Sequence, residues 1–311
     1  MKRKLILAFI LILAVIITSC TTKSDIKSDI DFEKISIPEN VSVPESDFNV
    51  RIIENGSAIE IIKYIGSIKN LNIPLSIENL PVTSIGSFAF WDNQLTGITI
   101  PNSVNNIGDY AFAKNQLTNV TIPNSVTNIG GGAFAENKLT GINIPNSVTS
   151  IGGRAFTKNQ LTSVTIPNGV TTIEDWVFAE NKLTGVTIPN SVTSIGKNAF
   201  YGNRLISISI PNSVSRIGEG AFMSMHIVFS NVTMSNNIIS FSIGDSENNT
   251  SLISVTFEGT IPSDNFDTSS FPGDLRSKFY STNANIGTPG TYTATRTGDV
   301  LDNNISIWTR Q

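Results

Sequence analysis

Two reactive side chains are the sole examples of their type in this sequence: the thiol of Cys20 and the imidazole of His226. A thiolate is a nucleophile and a metal ligand, and an imidazole is the usual general base near neutral pH. A nucleophile–base pair also needs a third group to hold the base, and the Ser and Thr between the two supply none. One Cys and one His do not make a metal site, which takes several ligands at close spacing. Carboxylates are scattered at variable positions and are not paired across a cleft. Gly130-Gly131-Gly132 lacks the following Lys-Ser/Thr of a phosphate loop. These residues therefore predict no enzyme, no catalytic residue, no metal and no cofactor. With a formal net charge of −4 and no basic tract, the chain is not expected to bind nucleic acid. A single Cys also excludes an intramolecular disulfide framework.

Cys20 has a different chemistry available. Lys2-Arg3-Lys4 is a positive leader, and residues 5–17 form an unbroken apolar run of 13. A membrane span needs roughly 20 residues, so the run reads as the core of an export signal. Ile17-Thr18-Ser19-Cys20 resembles the bacterial lipobox. That resemblance implies diacylglycerol on the Cys20 thiol, cleavage before it, and lipid attachment to a membrane of the bacterial envelope. Thr21 follows where Asp would suggest inner-membrane retention, so the outer membrane or cell surface is expected. Residues 1–19 are then a signal peptide. Residues 20–47, poor in apolar side chains and containing Pro38 and Pro44, read as a lipidated flexible tether.

What positions everything else is a repeat. Leu95, Leu117, Leu139, Leu161, Leu183 and Leu205 open six copies of one 22-residue pattern. It reads L-T-x-[IV]-x-I-P-N-x-V-x-x-I-G-x-x-A-F-x-x-N-x. A fixed period of this length signals a solenoid, in which each copy buries its apolar face only against its neighbours. Ile98 and Ile100 alternate with Thr99, which predicts a strand. Pro101 ends it, and Val104 and Ile107 point inward again from a return segment. Gly108 is expected to supply a backbone conformation closed to other residues, although Glu174 holds that place in copy four. Stacking puts Phe90, Phe112, Phe134, Phe156, Phe178, Phe200 and Phe222 in one aromatic spine. Asn115 and its equivalents form a column whose amides satisfy backbone groups. The residue before each Asn alternates in sign (Asp92, Lys114, Glu136, Lys158, Glu180), which places opposite charges on successive turns and disfavours a slip by one repeat.

The run IPNSVTSIG-x-x-AF-x-x-N-x-LTSVTIP resembles the BspA-like leucine-rich repeat of bacterial surface proteins, strongly over residues 73–227. Residues 48–64 are also similar to that family's N-terminal segment. The resemblance implies a curved or gently twisted leucine-rich solenoid, mainly β with irregular or short helical return segments. A right-handed parallel β-helix is the architectural alternative. It also implies exported proteins of host-associated bacteria, several linked to adhesion to host matrix proteins or to other bacteria.

The remaining organisation follows. Residues 48–80 are an N-terminal cap with a hairpin around Glu54-Asn55-Gly56. Residues 81–227 are the leucine-rich repeats. Residues 228–311 are degenerate repeats and a C-terminal cap, or a small separate binding module, with strands over 252–257, 291–297 and 305–309 and a short helix over 274–280. Two surfaces are candidates for partner contact. Outward strand positions, among them Thr99, Thr121, Thr165 and Thr187, make a neutral polar face that either binds or is simply solvated. Trp91, Tyr110, Trp176 and Tyr201 depart from positions otherwise filled by Ala, Gly, Asn or Thr. Local packing is the alternative explanation for such residues, and they are the better candidates for a contact patch. The expected partner is a protein or glycan at the cell surface, in an adhesin-type role. A structural or assembly protein of the envelope without a host ligand is the alternative.

Overall fold

The computed structural model describes residues 43–223 without interruption, and beyond them 231–234, 240–241, 254–257, 275–282, 287–297 and 305–311. Contacts divide the chain into two units, Met1–Ser42 and Val43–Gln311. Cys20 and His226 lie outside the described residues.

The second unit opens with an antiparallel hairpin, β1 (Phe48–Ile53) and β2 (Ala58–Tyr64). Asn55 and Gly56 turn it with φ of 53° and 96°, the left-handed region that Asn and Gly enter most readily. Next come β3 (Asn70–Asn72), β4 (Ser76–Ile77), β5 (Leu80–Ile85), β6 (Gly97–Thr99), β7 (Asn106–Ile107), β8 (Asn128–Ile129), β9 (Ser150–Ile151), β10 (Thr172–Ile173), β11 (Ser194–Ile195), β12 (Ser207–Ser209) and β13 (Arg216–Ile217). The chain continues through β14 (Asn231–Met234), β15 (Ser240–Phe241) and β16 (Ser254–Phe257) to the helix α1 (Leu275–Phe279). It ends in the antiparallel pair β17 (Gly290–Thr297) and β18 (Ile305–Arg310). The architecture is a mainly β solenoid, and α1 is the one α-helix among the described residues.

Three lines of bonding join successive turns, though not every line at every step. The first is the strand read from L-T-x-[IV]-x-I. It pairs in parallel as β3–β6 and β12–β14, and otherwise as single bridges, Thr121 with Asn143 and Thr165 with Thr187. The second lies in the return segment, where β5, β7, β8 and β9 pair in parallel at a shift of 22 residues. The return was expected to be irregular, yet it carries the longer run of paired strands. The third is the turn around A-F, where Tyr110 N–H donates to Gly131 O, Phe112 N–H to Ala133 O and Lys114 N–H to Ala135 O, all at 2.8–2.9 Å.

Inside these lines the stacked side chains repeat. The seven spine phenylalanines are almost completely buried, and successive ring centroids lie 5.1–5.7 Å apart with interplanar angles of 3–17°. Parallel rings at this distance pack offset, which the quadrupole favours over a face-to-face sandwich. At the N-terminal end Tyr64 stacks on Phe90 at 5.7 Å and Phe48 packs on Tyr64 at 5.4 Å, so the hairpin closes the spine with its own aromatics. Burial raises the Tyr64 phenol pKa above its ordinary value. It stays neutral and accepts the Ile68 N–H at 2.9 Å.

The asparagine column does what its chemistry requires. Asn137 Oδ1 accepts the Leu117 N–H of the preceding turn at 3.1 Å. Its Nδ2 donates to Phe112 O of that turn at 2.9 Å and to Phe134 O of its own at 3.1 Å. Asn115, Asn159, Asn181 and Asn203 repeat the arrangement. Buried amides are tolerable because nearly every donor and acceptor is used.

The glycine column has a different cause from the one expected. At Gly108, Gly130, Gly152, Gly196 and Gly218 the φ angles are not left-handed. A Cβ there would instead meet a backbone nitrogen of the preceding turn at 2.4–2.6 Å. Close approach, not backbone freedom, demands Gly. Glu174 is the exception, and the return-segment ladder responds to it. The sheet path runs β1-β2-β5-β7-β8-β9 and stops; a new one runs β10-β11-β13-β15. Turns whose Gly amide bonds the preceding Ile carbonyl at 2.7–2.8 Å lie on both sides of the break. The other two lines pass through it, as Phe156 N–H donates to Val177 O at 2.9 Å and Lys182 N–H to Leu161 O at 2.9 Å.

Two outcomes follow from this packing. Phe134→Ala should cost about 3–5 kcal/mol in denaturant unfolding, as for other large aromatics removed from cores. Glu174→Gly should close the broken ladder, raise amide protection at residue 174 in hydrogen exchange, and add about 0.5–1.5 kcal/mol for the hydrogen bond restored.

Candidate functional site: a groove on the turn face

The third line of hydrogen bonds imposes a backbone constraint. Two positions in each A-F turn sit at positive φ. The first is the column Phe88, Tyr110, Gly132, Arg154, Trp176, Asn198 and Gly220, with φ of 53–66°. The second is Asp92, Lys114, Glu136, Lys158, Glu180 and Gly202, with φ of 53–67°. An L-residue in this conformation costs roughly 1–2 kcal/mol, and a bulky one there is an outlier. Gly and Asn fill three places of the first column at least cost. Phe88, Tyr110, Arg154 and Trp176 fill the others, with side chains that are not deeply buried; Phe88 is 54% exposed.

Between the two columns runs a third, Trp91, Ala113, Ala135, Thr157, Ala179 and Tyr201. Ala113, Ala135 and Thr157 form the floor of a groove of about 490 Å³. One wall is the aromatic and Arg154 column, and the other is the charged column from Lys114 to Glu180. Trp91 stands at one end of the floor column. Tyr201, at the other end, leans on Trp176 at 5.5 Å. Phe88 stacks on Tyr110 at 5.2 Å and 14°. The Lys114 ammonium sits 5.2 Å from the Trp91 ring and the Arg154 guanidinium 5.8 Å from the Trp176 ring, within cation–π range. Tyr110 folds over Gly132, where an added Cβ would strike its ring at 2.4 Å.

The structure thus brings Trp91, Tyr110 and Trp176 into one groove and sets Tyr201 against Trp176. Thr99, Thr121, Thr165 and Thr187 are exposed but belong to the first line of strands, and none lines the groove. The two candidate surfaces are therefore separate. Phe88 was not singled out from sequence. It precedes the first complete copy, and counting back 22 residues from Tyr110 would have found it. The alternating charges stand on successive turns along one wall. Among the described residues the ion pairs are Arg51–Glu60 and Lys197–Glu219, and none joins Lys114, Glu136, Lys158 or Glu180. A larger hollow of about 750 Å³ lies between copies five and six and includes Thr187. It holds neither an aromatic nor a charged side chain, so it offers little to anchor a partner. Among the described residues no three of His, Cys, Asp and Glu are grouped to hold a metal ion, and no helix is long and apolar enough to cross a membrane.

The family model for the BspA-type leucine-rich repeat region matches residues 27–160 and 149–274, with six copies. No curated protein matches the chain. A leucine-rich cell surface protein from Faecalibacterium prausnitzii is similar at 29% identity over 74% of this chain, with a TM-score of 0.55. This chain spans only 58% of that protein's resolved length. A leucine-rich repeat protein from Bacteroides ovatus is similar at 22% identity, covering 71% of this chain and 72% of its own, with a TM-score of 0.42.

The contact between Tyr110 and Gly132 can be tested by a double-mutant cycle. Gly132→Ala should destabilise by more than the roughly 1–2 kcal/mol of a left-handed L-residue. In a Tyr110→Ala background the excess should disappear, as read from denaturant melts.

Proposed function

Because this chain belongs to the BspA-type leucine-rich repeat family, we propose that it is a bacterial surface protein that captures a protein partner in the aromatic groove, in an adhesin-type role. The mature chain is held to the envelope by lipid on Cys20. The groove is the observation that carries this reading. Phe88, Tyr110 and Trp176 occupy positions where Gly relieves strain elsewhere in the same column, and none of the three is fully buried. Strain retained at side chains that stay partly exposed points to use. Trp, Tyr and Arg are also the residues that dominate binding energy at protein interfaces, which favours a protein over a glycan. The export signal and the Ile17-Thr18-Ser19-Cys20 motif support anchoring, and the cell-surface description of the Faecalibacterium prausnitzii relative supports display.

Intact cells carrying the chain should lose it to added protease. A variant with Trp91, Tyr110, Trp176 and Tyr201 all changed to Ala should fold, by circular dichroism, and adhere at least tenfold less to immobilised host matrix proteins or partner bacteria. Cys20→Ala should release the chain from the membrane fraction. Protection from protease on intact cells would favour an internal envelope role. Undiminished adhesion by the folded quadruple variant would remove the groove from consideration.

A further inference from the structure

We infer that the groove is shaped for an amphipathic α-helix of the partner, laid along the stacking direction with one helical turn per solenoid turn. This rests on the reading of the groove as a protein-docking site and names what docks there. The first support is a match of periods. Successive spine rings are 5.1–5.7 Å apart, and an α-helix rises about 5.4 Å per turn. Side chains one helical turn apart therefore meet the same position on successive solenoid turns and stay in phase. The same-face residues of an extended peptide fall every ~6.7 Å, and over three solenoid steps they drift out of phase by about 4 Å.

The second support is charge. The wall reads Lys114, Glu136, Lys158, Glu180, one sign per turn, and none of the four is ion-paired with another. A helix with acidic and basic side chains on successive turns along one edge, at i, i+4, i+7 and i+11, complements all four. An uncharged glycan bonds such groups through its hydroxyls but brings an opposite charge to none of them. A uronic or sulfated glycan carries one sign only and would meet Glu136 and Glu180 as like charges.

The third support is shape. The floor is Ala113, Ala135 and Thr157, small enough for a rod of about 10–12 Å diameter to approach. The opposite wall of Phe88, Tyr110 and Trp176 offers apolar contact to the i, i+3, i+4, i+7 face that grooves of this kind read. From the Trp91 turn to the Tyr201 turn is five steps, about 27 Å, or roughly 18 residues of helix.

A displayed library of random 20-residue peptides, selected on the full chain and depleted on a folded variant with Trp91 and Trp176 both changed to Ala, reads the periodicity directly. Enriched peptides should repeat apolar residues at helical spacing, with acid and base alternating every turn. A central Pro should weaken them at least tenfold. Lys114→Glu with Lys158→Glu should weaken them tenfold or more, and peptides with Lys in place of the facing acids should recover the loss. Enrichment of period-two or Pro-containing peptides that still require Trp91 and Trp176 would keep the groove as a protein site and overturn the helix. Failure to enrich any peptide over the depleted variant, or binding of soluble oligosaccharides that is lost in that variant, would overturn the helix together with the protein-docking reading.

Discussion

Five successive turns of this molecule, those of Asn115, Asn137, Asn159, Asn181 and Asn203, are each tied to the one before by a buried asparagine. The amide of Asn137 takes a backbone N–H from the preceding turn and gives protons to carbonyls of both turns. Asn has the donors and acceptor at the right reach; Asp would lack the donors and Leu would lack both. The bond fixes the step and the rotation between turns, because it fails if either changes. Once the step is constant, every side chain meets its own kind 22 residues away. The aromatic spine, the stacked leucines and the ladder glycines are consequences of that rule.

The same turn has an outside. Its backbone must bend back within a few residues of the spine phenylalanine, and two residues per turn take left-handed φ to do so. The fold sets this conformation, while the side chain placed on it is free to vary. Gly132, Gly202 and Gly220 show the low-strain choice. Phe88, Tyr110, Arg154 and Trp176 show side chains projected outward at a cost. The buried asparagine and the exposed groove are thus two faces of one structural device. The interior is held constant, and the exterior is where copies diverge.

Copy four concentrates the divergence. Glu174 replaces the ladder glycine and Trp176 enters the groove column two residues later. Gly169 replaces the serine whose hydroxyl in copies two, three and five donates to a valine carbonyl of the preceding turn, as Ser191 does to Val170 O at 2.7 Å. The return-segment ladder opens there, but the asparagine bond, the spine and the turn-face bonds continue. Three independent lines of inter-turn bonding let one be given up at a single turn without breaking the stack, as expected when stability sums over nearest-neighbour interfaces.

The period of 22, the inward columns and the asparagine role were legible because a solenoid converts sequence repetition directly into contact. The hairpin at Asn55-Gly56 was legible for a local reason, its turn chemistry. Trp91, Tyr110, Trp176 and Tyr201 could be picked out as departures from the pattern. Sequence did not show that they come from two columns, on either side of the spine phenylalanine, and meet beside one groove. That depends on how the turn bends in space, as does the joining of Phe88 to Tyr110. Nor did sequence give the reason for the glycines. Gly108 could equally have served a left-handed turn, and only the 2.6 Å approach to the neighbouring backbone distinguishes the two. What repeats was therefore fixed by the chain alone, because like must stack on like. What lies between the repeats was decided by the tertiary structure, because distances across a groove depend on the backbone path rather than on the spacing of residues along it.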